Sequence, residues 1–113
     1  MAETLFTKII KRQIPADIVY EDDLCFAIKD INPKAPVHLL LIPKKPIDML
    51  VHAGNEDQAL LGHMLLAVGK IAREFKFDGA FRLAVNNGAE AGQSVFHLHM
   101  HIMAGRPFRW PPG

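Results

Sequence analysis

The run QSVFHLHMHIMAG, residues 93–105, places His97, His99 and His101 at every second position inside an apolar stretch. In an extended chain successive side chains alternate faces, so the three histidines share one side and Phe96, Leu98, Met100 and Ile102 the other. This predicts a strand over 96–104 whose apolar side faces a core helix. Its histidine side is then free to carry chemistry. Neighbouring imidazoles would stand ~6–7 Å apart along the strand, close enough to converge on one ligand.

Upstream, NNGAEAGQSV (86–95) reads as a glycine-bearing loop, and AFRLAVN (80–86) as a preceding strand. Before these, Leu60, Leu61, Met64, Leu65, Val68, Ile71, Ala72 and Phe75 recur at helical spacing, with Asn55 and Gln58 placed as a capping box. This is the one long helix of the chain. VHLLLIP (37–43) suggests a strand covered on both faces, while IVYEDD (18–23) and LCFAIKD (24–30) read as a hairpin with an acidic turn. TLFTKIIKRQIP (4–15) reads as a short helix capped by Thr4 and stopped by Pro15. Short connections between strands imply antiparallel pairing, so the predicted class is α+β. One amphipathic helix covers one sheet face, which leaves the other face or an edge for a site or a partner.

At 113 residues, half of them hydrophobic and 22% charged, the chain is expected to form a single domain over 1–113. A net charge of +1 argues against a protein built around nucleic acid or a polybasic membrane contact. Cys25 is the only cysteine, which excludes an intrachain disulfide and a cysteine-rich zinc site and fits a reducing compartment. The first residues lack a signal-peptide pattern, and no stretch approaches the ~20 apolar residues that span a bilayer. The expected location is the cytoplasm.

Three readings of the alternating histidines compete: a polar sheet face, a metal site with three imidazole ligands, and a nucleophile with helpers. The flank discriminates between them. Gly88 and Gly92 permit backbone geometries that turn N–H groups toward an anion, and Gln93 and Ser94 add side-chain donors. A phosphate cradle beside a nucleophile suits group transfer, and a metal site has no need of it. The remaining histidines, His52 and His63, read as ordinary surface or helix residues, and Lys44 and Lys45 as a solvated basic pair.

The motif His97-Leu98-His99-Met100-His101-Ile102-Met103 resembles that of the histidine triad (HIT) family. FTKIIKRQIPADIVYEDD, DINPKAPVHLLLIPKK, LLGHM, GQSVFHLHMH and GRPFRWPPG resemble, in the same order, the Hint branch of histidine triad nucleotide-binding proteins. The chain differs from that pattern at Ala91 and Ala104, which replace glycines, at Pro46, often histidine, and at Ile28, often aromatic. The resemblance implies a HIT-like fold, with a five-stranded antiparallel sheet and one long and one short helix per subunit. It further implies a homodimer joined into a ten-stranded sheet, whose C-terminal tail, with Trp110, lies near the partner's active site.

The implied activity is that of a metal-independent adenosine 5′-monophosphoramidase-type hydrolase without a cofactor. Such an enzyme cleaves purine nucleoside 5′-phosphoramidates, including aminoacyl adenylates, to the monophosphate and an amine. By the resemblance His99 is the nucleophile, and Gln93, Ser94 and His101 surround the phosphate, with Ser94 near the leaving group. Asp30 bonds the ribose hydroxyls, Ile31 walls the base pocket, Asn86 and Gly92 contact the nucleotide, and His38 and His97 support the site. A dinucleoside polyphosphate hydrolase and a nucleotide-binding regulatory module with little turnover are the alternatives. No nucleic-acid or membrane partner is expected.

Overall fold

The computed structural model describes residues 3–113. Thr4 caps the first helix, α1 (Leu5–Ile10): its hydroxyl accepts the Thr7 N–H, and the Thr7 hydroxyl accepts the Thr4 N–H. The alternating segments then form β1 (Ile18–Glu21), β2 (Cys25–Lys29) and β3 (Val37–Pro43). The long helix α2 (Gln58–Glu74) follows two single 3-10 turns, and β4 (Phe81–Ala84) and β5 (Met100–Ala104) complete the sheet. The strand order is β1-β2-β3-β5-β4, with every pair antiparallel. This is the α+β fold expected from the chain.

The sheet is covered on both faces, which explains why β3 is apolar almost throughout. Cys25, Ala27, Leu39, Leu41, Met100 and Ile102 face Met64, Ala67, Val68 and Ile71 of α2. On the other face Phe26, Ile28, Leu40 and Ile42 pack against Phe6 and Ile9 of α1. The short helix thus covers part of the face expected to lie open. Beyond its end the same face carries His38, Leu40 and His101, because Leu40 stands opposite His101 and His38 opposite Met103.

Three local expectations are corrected. The strand predicted over 96–104 begins only at Met100, so of the three histidines His101 alone belongs to the ladder. The reason is that β3 stops pairing with β5 at Leu41–Met100. The preceding segment is held by other bonds, among them Leu98 N–H to the Ile47 carbonyl at 2.6 Å. Phe96, released from the ladder, is 46% exposed and takes no part in the core.

The capping box expected from Asn55 and Gln58 does not form either. Asp57 supplies the acceptor, its carboxylate taking the Gly54 N–H at 2.9 Å while also pairing with Lys45. Finally, Leu65 and Phe75, expected on the core side of the long helix, are exposed, and Ala67 is buried. The buried stripe of α2 is narrower than its apolar periodicity, since Leu65 and Leu66 point away from the sheet. No described helix is long and apolar enough to cross a membrane.

Candidate functional site

A cleft of about 480 Å³ opens on the α1 side of the sheet. Phe6 and Ile9 of α1, Ile28 and Asp30 at the end of β2, Ile31, Ser94, His99 and His101 line it. Its walls therefore combine apolar side chains with a carboxylate, a hydroxyl and two imidazoles. Ile31 lines the cleft and is 98% exposed.

The hydrogen bonds around the imidazoles fix where each proton sits. His99 donates from Nδ1 to the His97 carbonyl at 2.8 Å, since a carbonyl can only accept. Its Nε2 is left with a lone pair and no partner among the described residues. His38 accepts the Lys34 N–H on Nδ1 at 2.9 Å, so its proton is on Nε2. That nitrogen lies 2.9 Å from His101 Nδ1 and 3.3 Å from Asp30 Oδ2. Donation to His101 Nδ1 leaves the proton of His101 on Nε2. The main chain at Lys34 therefore sets, through two rings, a neutral His101 that can donate.

Electrostatics agree with this assignment. Burial pushes the pKa of His38 below the ordinary imidazole value and outweighs the opposing pull of Asp30. For His101, burial acts first and the neighbouring His99 and His38 add to it, bringing the pKa down to about 4. His97 is also shifted down by burial, although its bond to the Pro43 carbonyl works the other way. Near neutral pH these three rings are uncharged.

His97 has a different part from the other two. Its ring donates from Nε2 to the Pro43 carbonyl at 2.7 Å and lies 5.9 Å from the Phe6 ring, edge to face. It is fully buried, so it braces the segment and does not face the cleft. Phe6 also meets His99 edge to face at 5.0 Å, which restrains that ring from the α1 side. Asp30 is tied down by its Oδ1, which accepts the Asn32 N–H at 2.8 Å.

The glycine loop is built as a closed turn. Gly88 and Gly92 have φ of +93° and +96°, a region that side chains with a Cβ rarely adopt. Gln93 locks this turn from within: its Oε1 accepts the Gly88 N–H at 2.8 Å, and its Nε2 donates to the carbonyls of Asp48 at 2.7 Å and Val95 at 3.0 Å. The amide expected to face a phosphate is thus spent inside the loop, where it holds Ser94 in place. Asn86 lies beside Gly92 and does not line the cleft.

Of the expected site residues, then, the fold gathers Asp30, Ile31, Ser94, His99 and His101 at the cleft, with His38 and His97 immediately behind. Gln93, Asn86 and Gly92 form the loop next to it. Phe6 and Lys34 were not singled out in the sequence. Phe6 reads there only as a helix-face residue, and the contribution of Lys34 is a backbone N–H that no side-chain motif encodes.

Residues 11–108 match the HIT domain family model. The chain is 64% identical over its whole length to an uncharacterised HIT-like protein of Synechocystis, all of which it covers. A HIT family hydrolase from Legionella pneumophila has the same fold, with a TM-score of 0.95 and 40% identity over 98% of this chain and 100% of that one. A histidine triad nucleotide-binding protein from Candida albicans matches with a TM-score of 0.82 and 29% identity over 98% of this chain and 85% of that one. The family match spans the three histidines, the loop before them and all five strands, and this chain belongs to the HIT domain family.

Proposed function

We propose that this protein is a metal-independent hydrolase of purine nucleoside 5′-phosphoramidates, acting through a nucleotidyl-His99 intermediate. The observation that carries the reading is the bond from His99 Nδ1 to the His97 carbonyl, which leaves Nε2 as a lone pair beside a cleft lined by Ser94 and His101. An imidazole so arranged needs no separate base before it attacks phosphorus. The hydrolase and nucleotide-binding names of the Legionella and Candida relatives are consistent with it.

The steps follow from the proton inventory. His99 Nε2 forms a bond to phosphorus as the bond from phosphorus to the departing amine breaks, and the amine leaves with a proton that the Ser94 hydroxyl relays from solvent. His101 Nε2–H donates to a non-bridging oxygen, where negative charge accumulates. Water then attacks the phosphorus of the intermediate, the bond from phosphorus to Nε2 breaks, and the water's proton returns to solvent, releasing the nucleoside monophosphate and regenerating His99. The base lies against the apolar lining of Ile9, Ile28 and Ile31, and the Asp30 carboxylate accepts from the ribose hydroxyls. Gln93, Asn86 and Gly92 serve this reading as the frame of the loop that presents Ser94.

The test is turnover of adenosine 5′-phosphoramidate by purified protein, with acid-quenched samples examined by mass spectrometry for a nucleotidyl adduct on the 93–105 segment. The expected result is multiple turnovers and an adduct on His99. In His99→Asn both disappear, with a rate loss of at least ~10³-fold. Undiminished turnover in that variant would overturn the nucleophile assignment. Faster cleavage of diadenosine polyphosphates than of phosphoramidates would instead move the protein to a polyphosphate hydrolase.

A further inference from the structure

A second group of ligating side chains lies on the sheet face away from the cleft, where the β1–β2 turn meets the second turn of α2. A carboxylate oxygen of Asp22, Cys25 Sγ and a ring nitrogen of His63 all lie within 4.8 Å of one another. Asp22 Oδ2 accepts from His63 Nε2 at 2.7 Å and from the Tyr20 hydroxyl at 2.7 Å, and Cys25 Sγ is 3.7 Å from the same oxygen. The other oxygen, Oδ1, is held by the backbone N–H groups of Leu24 at 2.8 Å and Cys25 at 2.9 Å. The carboxylate is therefore oriented by a frame that no bound group would have to build.

We infer that Asp22, Cys25 and His63 form a binding site for a zinc-class divalent cation, with water as the fourth ligand. The spacing favours it: a tetrahedral zinc site with bonds of about 2.0 Å to oxygen and nitrogen and 2.3 Å to sulfur sets its ligand atoms roughly 3.3–3.6 Å apart. The sulfur–oxygen separation is already near that value. The nitrogen–oxygen pair has only to widen by about half an ångström once the shared proton leaves, on the bond lengths above.

The chemistry selects the ion. A thiolate, an imidazole and a single carboxylate suit zinc and disfavour magnesium or calcium, which take oxygen ligands. Charge also balances, because one thiolate and one carboxylate neutralise a dication in a largely enclosed place. On binding, Cys25 loses its thiol proton to solvent and His63 gives up the proton on Nε2, so that sulfur and nitrogen each offer a lone pair to the ion.

Access comes from the α2 side. The His63 side chain is 35% exposed, and an open recess lined by Tyr20, His63, Lys70 and Arg73 adjoins it. Burial keeps the free thiol protonated, with its pKa pushed up to about 12, so without metal Cys25 is an inert core residue. The bound ion would fasten α2 to the β1–β2 hairpin, a link between groups 41 residues apart in the chain. Its role is structural and separate from the cleft.

The experiment titrates metal-stripped full-length protein with cobalt(II), which reports sulfur ligation as a near-ultraviolet charge-transfer band, and then displaces it with zinc. One cobalt per chain with that band, reversed by zinc, and a zinc-dependent rise in Tm are expected. Cys25→Ala and His63→Gln should each lose the band at cobalt levels that saturate the parent and bind zinc more than ~100-fold more weakly, beyond the effect of losing an outer partner. His101→Ala, which touches only the cleft, should keep both. Cobalt bound without the band, or zinc affinity unchanged in His63→Gln, overturns the site. His63 lies at a partly exposed helix position, so that variant is decisive even if Cys25→Ala does not fold.

Discussion

The three imidazoles of the opening stretch differ because each ring meets a different hydrogen-bond partner. His97 donates to Pro43, His99 to the carbonyl of His97, and His101 receives from His38. Residue type and alternation could not distinguish them, since all three are histidines on one side of an extended segment. Breaking the chain at His38 tests the assigned tautomers. His38→Phe should lower kcat by roughly 10²-fold or more by releasing the proton position on His101, with a smaller effect on KM. A steady-state comparison with His99→Asn would show whether His101 depends on that relay.

The buried rings also set a pH dependence of stability. His101, His38 and His97 have pKa values below the ordinary imidazole value in the folded chain, so between pH 6.5 and about 4 the unfolded state binds more protons than the native one. Folding stability is therefore full above pH 6.5 and is lost as the pH falls through that window. Urea denaturation at pH 7.5, 6 and 5 should show a falling midpoint, and His101→Phe should flatten the fall. A midpoint that rises on acidification would contradict the neutral-ring assignment.

At the level of elements, the cleft depends on two short pieces of chain. Helix α1 is only six residues long and cannot stand alone, yet it supplies Phe6 to His99 and its buried face to β2 and β3. The 88–92 turn is the other piece, and its glycines were legible as flexible positions before the geometry was known. The lock on the turn was not legible, because Gln93, which closes it through Gly88, also reaches the carbonyl of Asp48, 45 residues away. Gly92→Ala tests the turn. A Cβ there meets only ordinary contacts with Asn86, so the cost comes from φ +96° and should be about 1–2 kcal/mol in denaturation. Turnover should fall with it, because Ser94 is two residues on.

For the molecule as a whole, the sheet ends at β1 on one side and at β4 on the other. Leu65 and Leu66 of α2 are exposed, and a homodimer is what the family resemblance implies. Sedimentation analysis should give twice the chain mass. The tail after Gly105 is anchored at its start, where Arg82 donates to the Arg109 carbonyl at 2.8 Å and Phe108 lies under Arg106 and Arg82. Trp110 beyond it is 83% exposed. Removing residues 106–113 should alter kcat/KM unequally across a series of leaving amines, with the dimer intact, if the tail reaches the neighbouring cleft.

The sequence by itself determined the elements, the antiparallel α+β class, the short-helix cap at Thr4 and the residues that could do chemistry. Each of these rests on local periodicity, turn residues or a motif carried within a few positions. It did not determine where the histidine strand begins, since that follows from where β3 turns away after Leu41. Only the tertiary structure decided that Gln93 braces its own loop, that a backbone N–H at Lys34 sets the proton of His101, and that His63 joins Asp22 and Cys25. The physical reason is common to all three: hydrogen-bond partners and ligating atoms are fixed by distances between segments, and those distances exist only once the sheet and both helices have packed.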